Sequence, residues 1–165
     1  MKQDNTERYW FPMLAAYSRE QVIKEELDRL GIENFLLGFD HLIFVHASRS
    51  QISELKQANK SLEPLRYMVI RHDVQSSTVV TVPDHPMQQF IQAMRVEDPA
   101  GQRTYLTYSE FLGREGKHVR FQRGPFQGIE GTVKRIRNNR HLVIALPHVG
   151  ALAISIPSIS DLEPV

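Results

Sequence analysis

The chain has 165 residues, enough for one ordinary domain or two small ones, and its 41% apolar content is that of a chain that folds. It has no cysteine, which excludes a disulfide frame and a thiolate metal site, and no apolar run approaches the length needed to cross a membrane. Net charge is only +1, but residues 1–94 carry 10 Lys and Arg against 12 Asp and Glu, whereas residues 95–165 carry 10 against 7. Most of that excess sits at Arg114, Lys117, Arg120, Arg123, Lys134, Arg135, Arg137 and Arg140, opposed in the same span by Glu115 and Glu130. Such a stretch is either a solvated basic surface or an attractor for nucleic acid or acidic protein. The opening "MKQDNTER" is polar and lacks the apolar centre of a secretion signal, so a cytoplasmic protein is expected.

Residues 8–17, "RYWFPMLAAY", read as an opening strand. Pro12 inside it argues for a sheet edge or a bulge, because proline offers no N–H to a ladder. Residues 18–31, "SREQVIKEELDRLG", read as a helix: Ser18 and Gln21 complete a capping box, Val22, Ile23, Leu27 and Leu30 form one apolar face, and Gly31 ends it. Two strands are expected over 32–39 and 41–47. Residues 49–60 have helical composition with Ile52 and Leu55 inward, ended by Pro64. Two further strands, 65–73 and 77–83, flank a polar turn. Asp84 then caps a helix whose stripe is Met87, Phe90, Ile91 and Met94.

This order predicts an α+β fold, an N-terminal sandwich of helices on a mainly antiparallel sheet over residues 7–94. Residues 95–112 have the composition of a linker, although "TYLTYSEFL" is compatible with a short strand or a helical turn. From residue 113 onward the texture is of short strands: "KHVRFQR", "GTVKRIR", "HLVIALP" and "ALAISIP", separated by Asn138–Asn139, Pro147, Gly150 and Pro157. Four or five short strands over 113–165 predict a small five-stranded β-barrel. Their Val and Ile content favours strand over helix.

The stretch "RGPFQGIEG" joins the first two of those strands. Gly124 starts its turn, Pro125 sets φ, Phe126 anchors the loop to the barrel, and Gly128 and Gly131 let the chain re-enter the second strand. It is not a phosphate cradle, since no Gly-Lys-Ser/Thr follows. Nor does the chain carry a catalytic signature: there is no His-Glu-x-x-His, nucleophile elbow or paired acidic motif. The seven histidines lack metal-ligand spacing; His41 and His46 point to opposite faces of one strand. No cofactor and no metal is expected.

"GKHVRFQRGPFQGIEGTVKRI" (116–136) resembles the KOW motif of NusG-type transcription factors, with Gly124, Pro125, Phe126, Gly128 and Gly131 at the motif positions. "WFPMLAAYSREQVIKEELDRLGIENFL" resembles the opening of the NusG N-terminal domain. "FDHLIFVHA" stands where that domain has a Phe-Pro-x-Tyr-x-Phe-Val-like stretch, with Asp40 and His41 replacing the Pro-x pair and Leu42 replacing the Tyr. "VPDHPMQQFIQAM" is similar to the closing helix of the UpxY-like specialised paralogues of Bacteroides, which antiterminate polysaccharide operons. The resemblance implies an NGN-like domain followed by an SH3-like KOW barrel.

It further implies a factor, not an enzyme, that binds RNA polymerase and favours processive transcription. Its N-terminal domain would pack an apolar surface on the polymerase clamp helices, and its KOW domain would recruit a ribosomal protein or a termination factor. Carried over, the polymerase-facing residues are Leu14, Phe39, Leu42 and Phe44; of these Leu42 and Phe44 share one face of their strand, and Ile43 and Val45 the other. Trp10 and Tyr17 are expected in the core or at its margin. Arg19, Arg120 and Arg123 are candidates for contact with DNA or RNA in the elongation complex. The alternative is an RNA- or ribosome-binding KOW protein, in which the basic stretch alone would hold RNA.

Overall fold

The structure, a computed structural model, describes residues 5–38, 40–107 and 116–165. Contacts divide the chain into two units, Met1–Asp84 and His85–Val165. The fold is α+β: among the described residues three α-helices accompany sheets whose strand pairs run antiparallel.

The first unit contains β1 (Arg8–Ala15), α1 (Glu20–Arg29), β2 (Asn34–Leu36), β3 (Leu42–Ser48), α2 (Arg49–Ala58), β4 (Leu65–Tyr67), β5 (Val69–Arg71) and β6 (Ser77–Val79). Its main sheet has the order β2-β3-β1-β4, and β5 and β6 form a separate hairpin. Alternation along the strands sets the core. Phe11, Met13 and Ala15 of β1 and Ile43, Val45 and Ala47 of β3 join Ile23 and Leu27 of α1 and Ile52 of α2 in one buried cluster.

Pro12 does not mark an edge. β1 is an interior strand, paired with β3 on one side and β4 on the other. The geometry explains why proline is tolerated there. Opposite it, Met68 N–H donates to the Pro12 carbonyl at 3.3 Å, while the Met68 carbonyl, which would await a Pro12 N–H, accepts from Val80 N–H at 2.9 Å. The missing donor therefore leaves no orphaned acceptor.

The expected capping box at α1 is absent. Ala16–Ser18 form a 3-10 turn in which Tyr17 and Ser18 have φ of 63° and 54°, so Ser18 lacks the extended backbone of an N-cap, and Arg19 takes that position without a side-chain bond. Val22 also departs from the expected face and is 44% exposed, since the buried line runs through Ile23 and Leu27. The C-terminus closes as the sequence predicts: Gly31 N–H donates to Asp28 O at 3.1 Å and Ile32 N–H to Leu27 O at 2.9 Å, the two bonds of a Schellman motif. The cap of α2 is Ser48, whose Oγ accepts from Gln51 N–H at 3.1 Å.

The second unit holds nearly all of α3 (Asp84–Arg95), then β7 (Arg103–Thr107), β8 (His118–Phe121), β9 (Glu130–Ile136), β10 (Asn139–Leu146), β11 (Gly150–Ser155) and β12 (Leu162–Pro164). The stripe on α3 is Met87, Phe90 and Ile91 as expected, with Ala93 rather than Met94 fully buried. Phe90 lies edge-on to Tyr105 of β7 at 6.4 Å, so the helix that sequence groups with residues 7–94 packs within the second unit.

The strands form one six-stranded antiparallel sheet, β12-β8-β9-β10-β11-β7. This corrects the expected five-stranded barrel: among the described residues β12 and β7 are the edges, and the sheet does not close between them. The sixth strand comes from the stretch read as a connector. Asp98 orders that stretch, its carboxylate accepting from the N–H groups of Gln102 and Arg103 at 2.8 Å each. Arg103 in turn donates to Ala93 O and Val96 O at 2.9 and 2.7 Å at the end of α3. The rest of "TYLTYSEFL" beyond Thr107 lies outside the described residues, as do Arg114 and Glu115.

Candidate binding surfaces

Tyr17 is 85% exposed, and not the core residue the sequence suggests. Its backbone is the reason. A non-glycine residue in the left-handed region costs about 1–2 kcal/mol, and Tyr17 and Ser18 occupy it in succession. The segment is pinned there from both sides: Ala15 N–H donates to His41 O at 2.9 Å and Ala16 N–H to Pro64 O at 3.2 Å. Ser18→Gly is therefore expected to raise stability by about 0.5–1 kcal/mol, the strain relieved less the added freedom of the unfolded chain. A thermal melt checks this; a lower melting temperature refutes the strain.

Tyr17 borders a groove of about 550 Å³ lined also by Arg19, Val22, Lys60, Glu63 and Arg66. Leu14, 41% exposed, sits directly across the sheet from Arg66. An aromatic ring and two aliphatic side chains thus lie beside three cations and one carboxylate, the mixture of apolar centre and polar rim that protein contacts use.

The other polymerase-facing candidates are placed differently. Leu42 is 4% exposed and Phe44 fully buried, so neither offers a surface to a partner; they can shape one only from beneath. They do share a face, opposite Ile43 and Val45, and Phe44 lies 6.5 Å from Phe35 across the β2–β3 pair. Phe39 lies outside the described residues. Trp10 is buried as expected, stacked on His46 at 4.7 Å, its Nε1 donating to Asp84 at 3.1 Å. His41 contacts Glu20 across the β1–α1 corner, and that hydrogen bond is the main cause holding the Glu20 carboxyl below its ordinary 4.5.

In the second unit the glycine-rich loop between β8 and β9 is closed by hydrogen bonds at both ends. Gly128 N–H donates to Phe121 O at 2.8 Å and Phe121 N–H to Ile129 O at 3.0 Å. Phe126 is 1% exposed and packs on Phe121 at 6.1 Å, anchoring the loop as its sequence predicts. Gly124 and Gly128 have φ of +88° and +89°. Gly131 serves a different need: a Cβ there would lie 2.5 Å from Val143 O on the neighbouring strand. A cleft of about 330 Å³ beside the loop is lined by Phe121, Arg123, Pro125, Phe126 and Asp161.

Arg120 is not available to nucleic acid in the way its sequence position suggests. It donates to Glu130 through Nε and Nη2 at 3.1 and 2.7 Å and to Glu163 through Nη1 at 3.2 Å, tying β8 to β9 and β12. Arg123 is 62% exposed and only 3.7 Å from Asp161. Arg19 is exposed, with no ion pair among the described residues.

Glu130 is a junction, with His85 and His118 also within 3.5 and 3.6 Å of its second oxygen. The Arg120 hydrogen bonds, more than any other cause, hold its carboxyl below the ordinary 4.5. A depressed carboxylate stabilises above its unfolded value and loses that contribution as pH falls through the folded one. The melting temperature of Glu130→Gln should therefore approach that of the parent as pH drops below 4.5; a constant difference across that range refutes the linkage.

A second groove, of about 590 Å³, lies between β8, β9, β10 and the C-terminal segment. Its floor is aliphatic and its margin carries Lys117, Lys134, Arg135 and Arg140. Among the described residues no cluster of His, Asp and Glu is placed to hold a metal ion, and no helix is long and apolar enough to cross a membrane. No protein-family model matches the chain, and no curated protein is significantly similar to it.

Proposed function

We propose that the chain is a NusG-type transcription elongation or antitermination factor, of the kind represented by the UpxY-like paralogues, that binds RNA polymerase and promotes processive transcription of polysaccharide operons. It acts by binding alone, favouring the elongating state of the polymerase through contacts made better in that state than in the paused one. In this reading the first unit is the NGN-like, polymerase-binding part, and the second is the counterpart of the SH3-like KOW module that recruits a ribosomal protein or a termination factor.

The observation that carries the reading is the exposed Tyr17, held out on a strained turn of an α/β unit beside Arg19 and Val22, with Leu14 also exposed at the end of β1. A ribosomal KOW protein has no need of such a unit. In this reading Leu14 and Tyr17 make the contact, Leu42 and Phe44 are interior residues of the sheet that bears it, and Arg19 is the candidate for upstream DNA.

In vitro transcription on a terminator template tests the function, with read-through expected to rise when the protein is added. A pull-down with purified polymerase tests the surface. Tyr17→Ala should weaken binding by at least about tenfold, as truncation of an aromatic contact does, with an unchanged melting curve or a slightly stabilised one. Unchanged read-through rejects the function; undiminished binding by the variant rejects this surface.

A further inference from the structure

We propose that the groove between β8, β9, β10 and residues 156–164 is a docking site for a linear protein segment that alternates acidic and apolar side chains. The proposal stands apart from the transcription reading, since it rests on the groove alone.

The floor is made by Val119, Val133, Ile156, Ile159 and Leu162. Ile159, 58% exposed, adds accessible apolar surface to that floor. At about 590 Å³ the groove falls within the range of roughly 300–1,000 Å³ typical of binding clefts. The margin is cationic, and the lone carboxylate that lines the groove, Glu163, is already engaged by Arg120.

Register adds a second observation. Arg135 of β9 and Arg140 of β10 are direct cross-strand partners. Like charges in that relation destabilise a sheet, and among the described residues neither has an ion-pair partner. Arg137, in the left-handed two-residue turn that joins the strands, adds a third cation at the same end. The isolated chain thus holds an uncompensated repulsion at the margin of an apolar groove. An anionic partner removes the repulsion while its apolar side chains cover the floor. Carboxylates would pair with the guanidinium groups in the forked geometry arginine favours.

The floor also selects among anions. Single-stranded nucleic acid is held by cations together with aromatic rings on which bases stack. No aromatic side chain lines this groove. Aliphatic side chains at the floor match Leu, Ile or Val of a peptide, alternating with acidic residues that reach the margin as an extended segment would place them.

The test is fluorescence anisotropy with the full chain and three labelled probes: a peptide of alternating glutamate and leucine, the same peptide with serine in place of leucine, and a single-stranded RNA of equal charge. The glutamate–leucine peptide should bind, more weakly as salt rises, and both the serine peptide and the RNA should bind at least about tenfold less tightly. Arg135→Glu should reduce peptide binding by at least about tenfold while leaving the melting temperature equal or higher, because it turns a repulsive cross-strand pair into an attractive one. Ile159→Asp, at an exposed position, should lose binding with little change in melting. RNA bound as tightly as the peptide, no peptide binding at millimolar concentration, or binding unchanged by Arg135→Glu would each overturn the proposal.

Discussion

Phe44→Ala is expected to destabilise the first unit by about 3–5 kcal/mol, the usual cost of emptying a buried phenylalanine site. Phe44 is fully buried, lies opposite Pro12 in the β1–β3 register and touches the ring of Phe35. A loss of that size consumes much of the roughly 5–15 kcal/mol that holds a domain folded. Denaturant unfolding followed through Trp10, the single tryptophan and a buried residue of the same sheet, reads it directly. Were Phe44 instead a surface contact, its truncation would change stability by about 0.5 kcal/mol or less. A cost near that lower figure would sink the assignment of Phe44 to the interior and return it to the polymerase-facing set. Tyr17→Ala is the converse case, and the pair of variants separates packing from contact.

Gly131→Ala should cost about 3 kcal/mol in the second unit, at the upper end of what overpacking usually costs. The new methyl would meet Val143 O and Leu142 Cδ2 at 2.5 Å, and the first of these is backbone that cannot turn aside without breaking the β9–β10 pairing. Gly128→Ala provides the contrast. Space around it is open, and only its φ of +89° opposes a side chain, a penalty of about 1–2 kcal/mol. Hydrogen exchange at the β9–β10 amides should therefore accelerate more in Gly131→Ala than in Gly128→Ala. Equal effects would show that the motif glycines share one conformational role and that close strand approach is not the constraint at Gly131.

Much of the fold was legible from local chemistry. Gly31 at the end of α1, the stripe Met87, Phe90 and Ile91 on α3, the anchoring Phe126 and the strands around the glycine-rich loop all follow from patterns a few residues long. The surface was less legible. Tyr17 ends an apolar strand and reads as core; its exposure follows from a left-handed turn held by His41 and Pro64, residues distant in sequence. Arg120 and Arg140 look equivalent in a basic stretch, yet one faces two glutamates and the other faces an arginine.

By itself the sequence determined the α+β class, the placement of the three helices and most of the strands, and the conformation of the glycine-rich loop, because these depend on periodicity and on backbone freedom within a short window. Only the tertiary structure decided that Pro12 sits in an interior strand, that the described strands of the second unit form one six-stranded sheet with β12 and β7 at its ends, and which cations are already paired. Those properties depend on which distant residue supplies the opposing strand or charge, and a one-residue change of register alone would re-pair the cations.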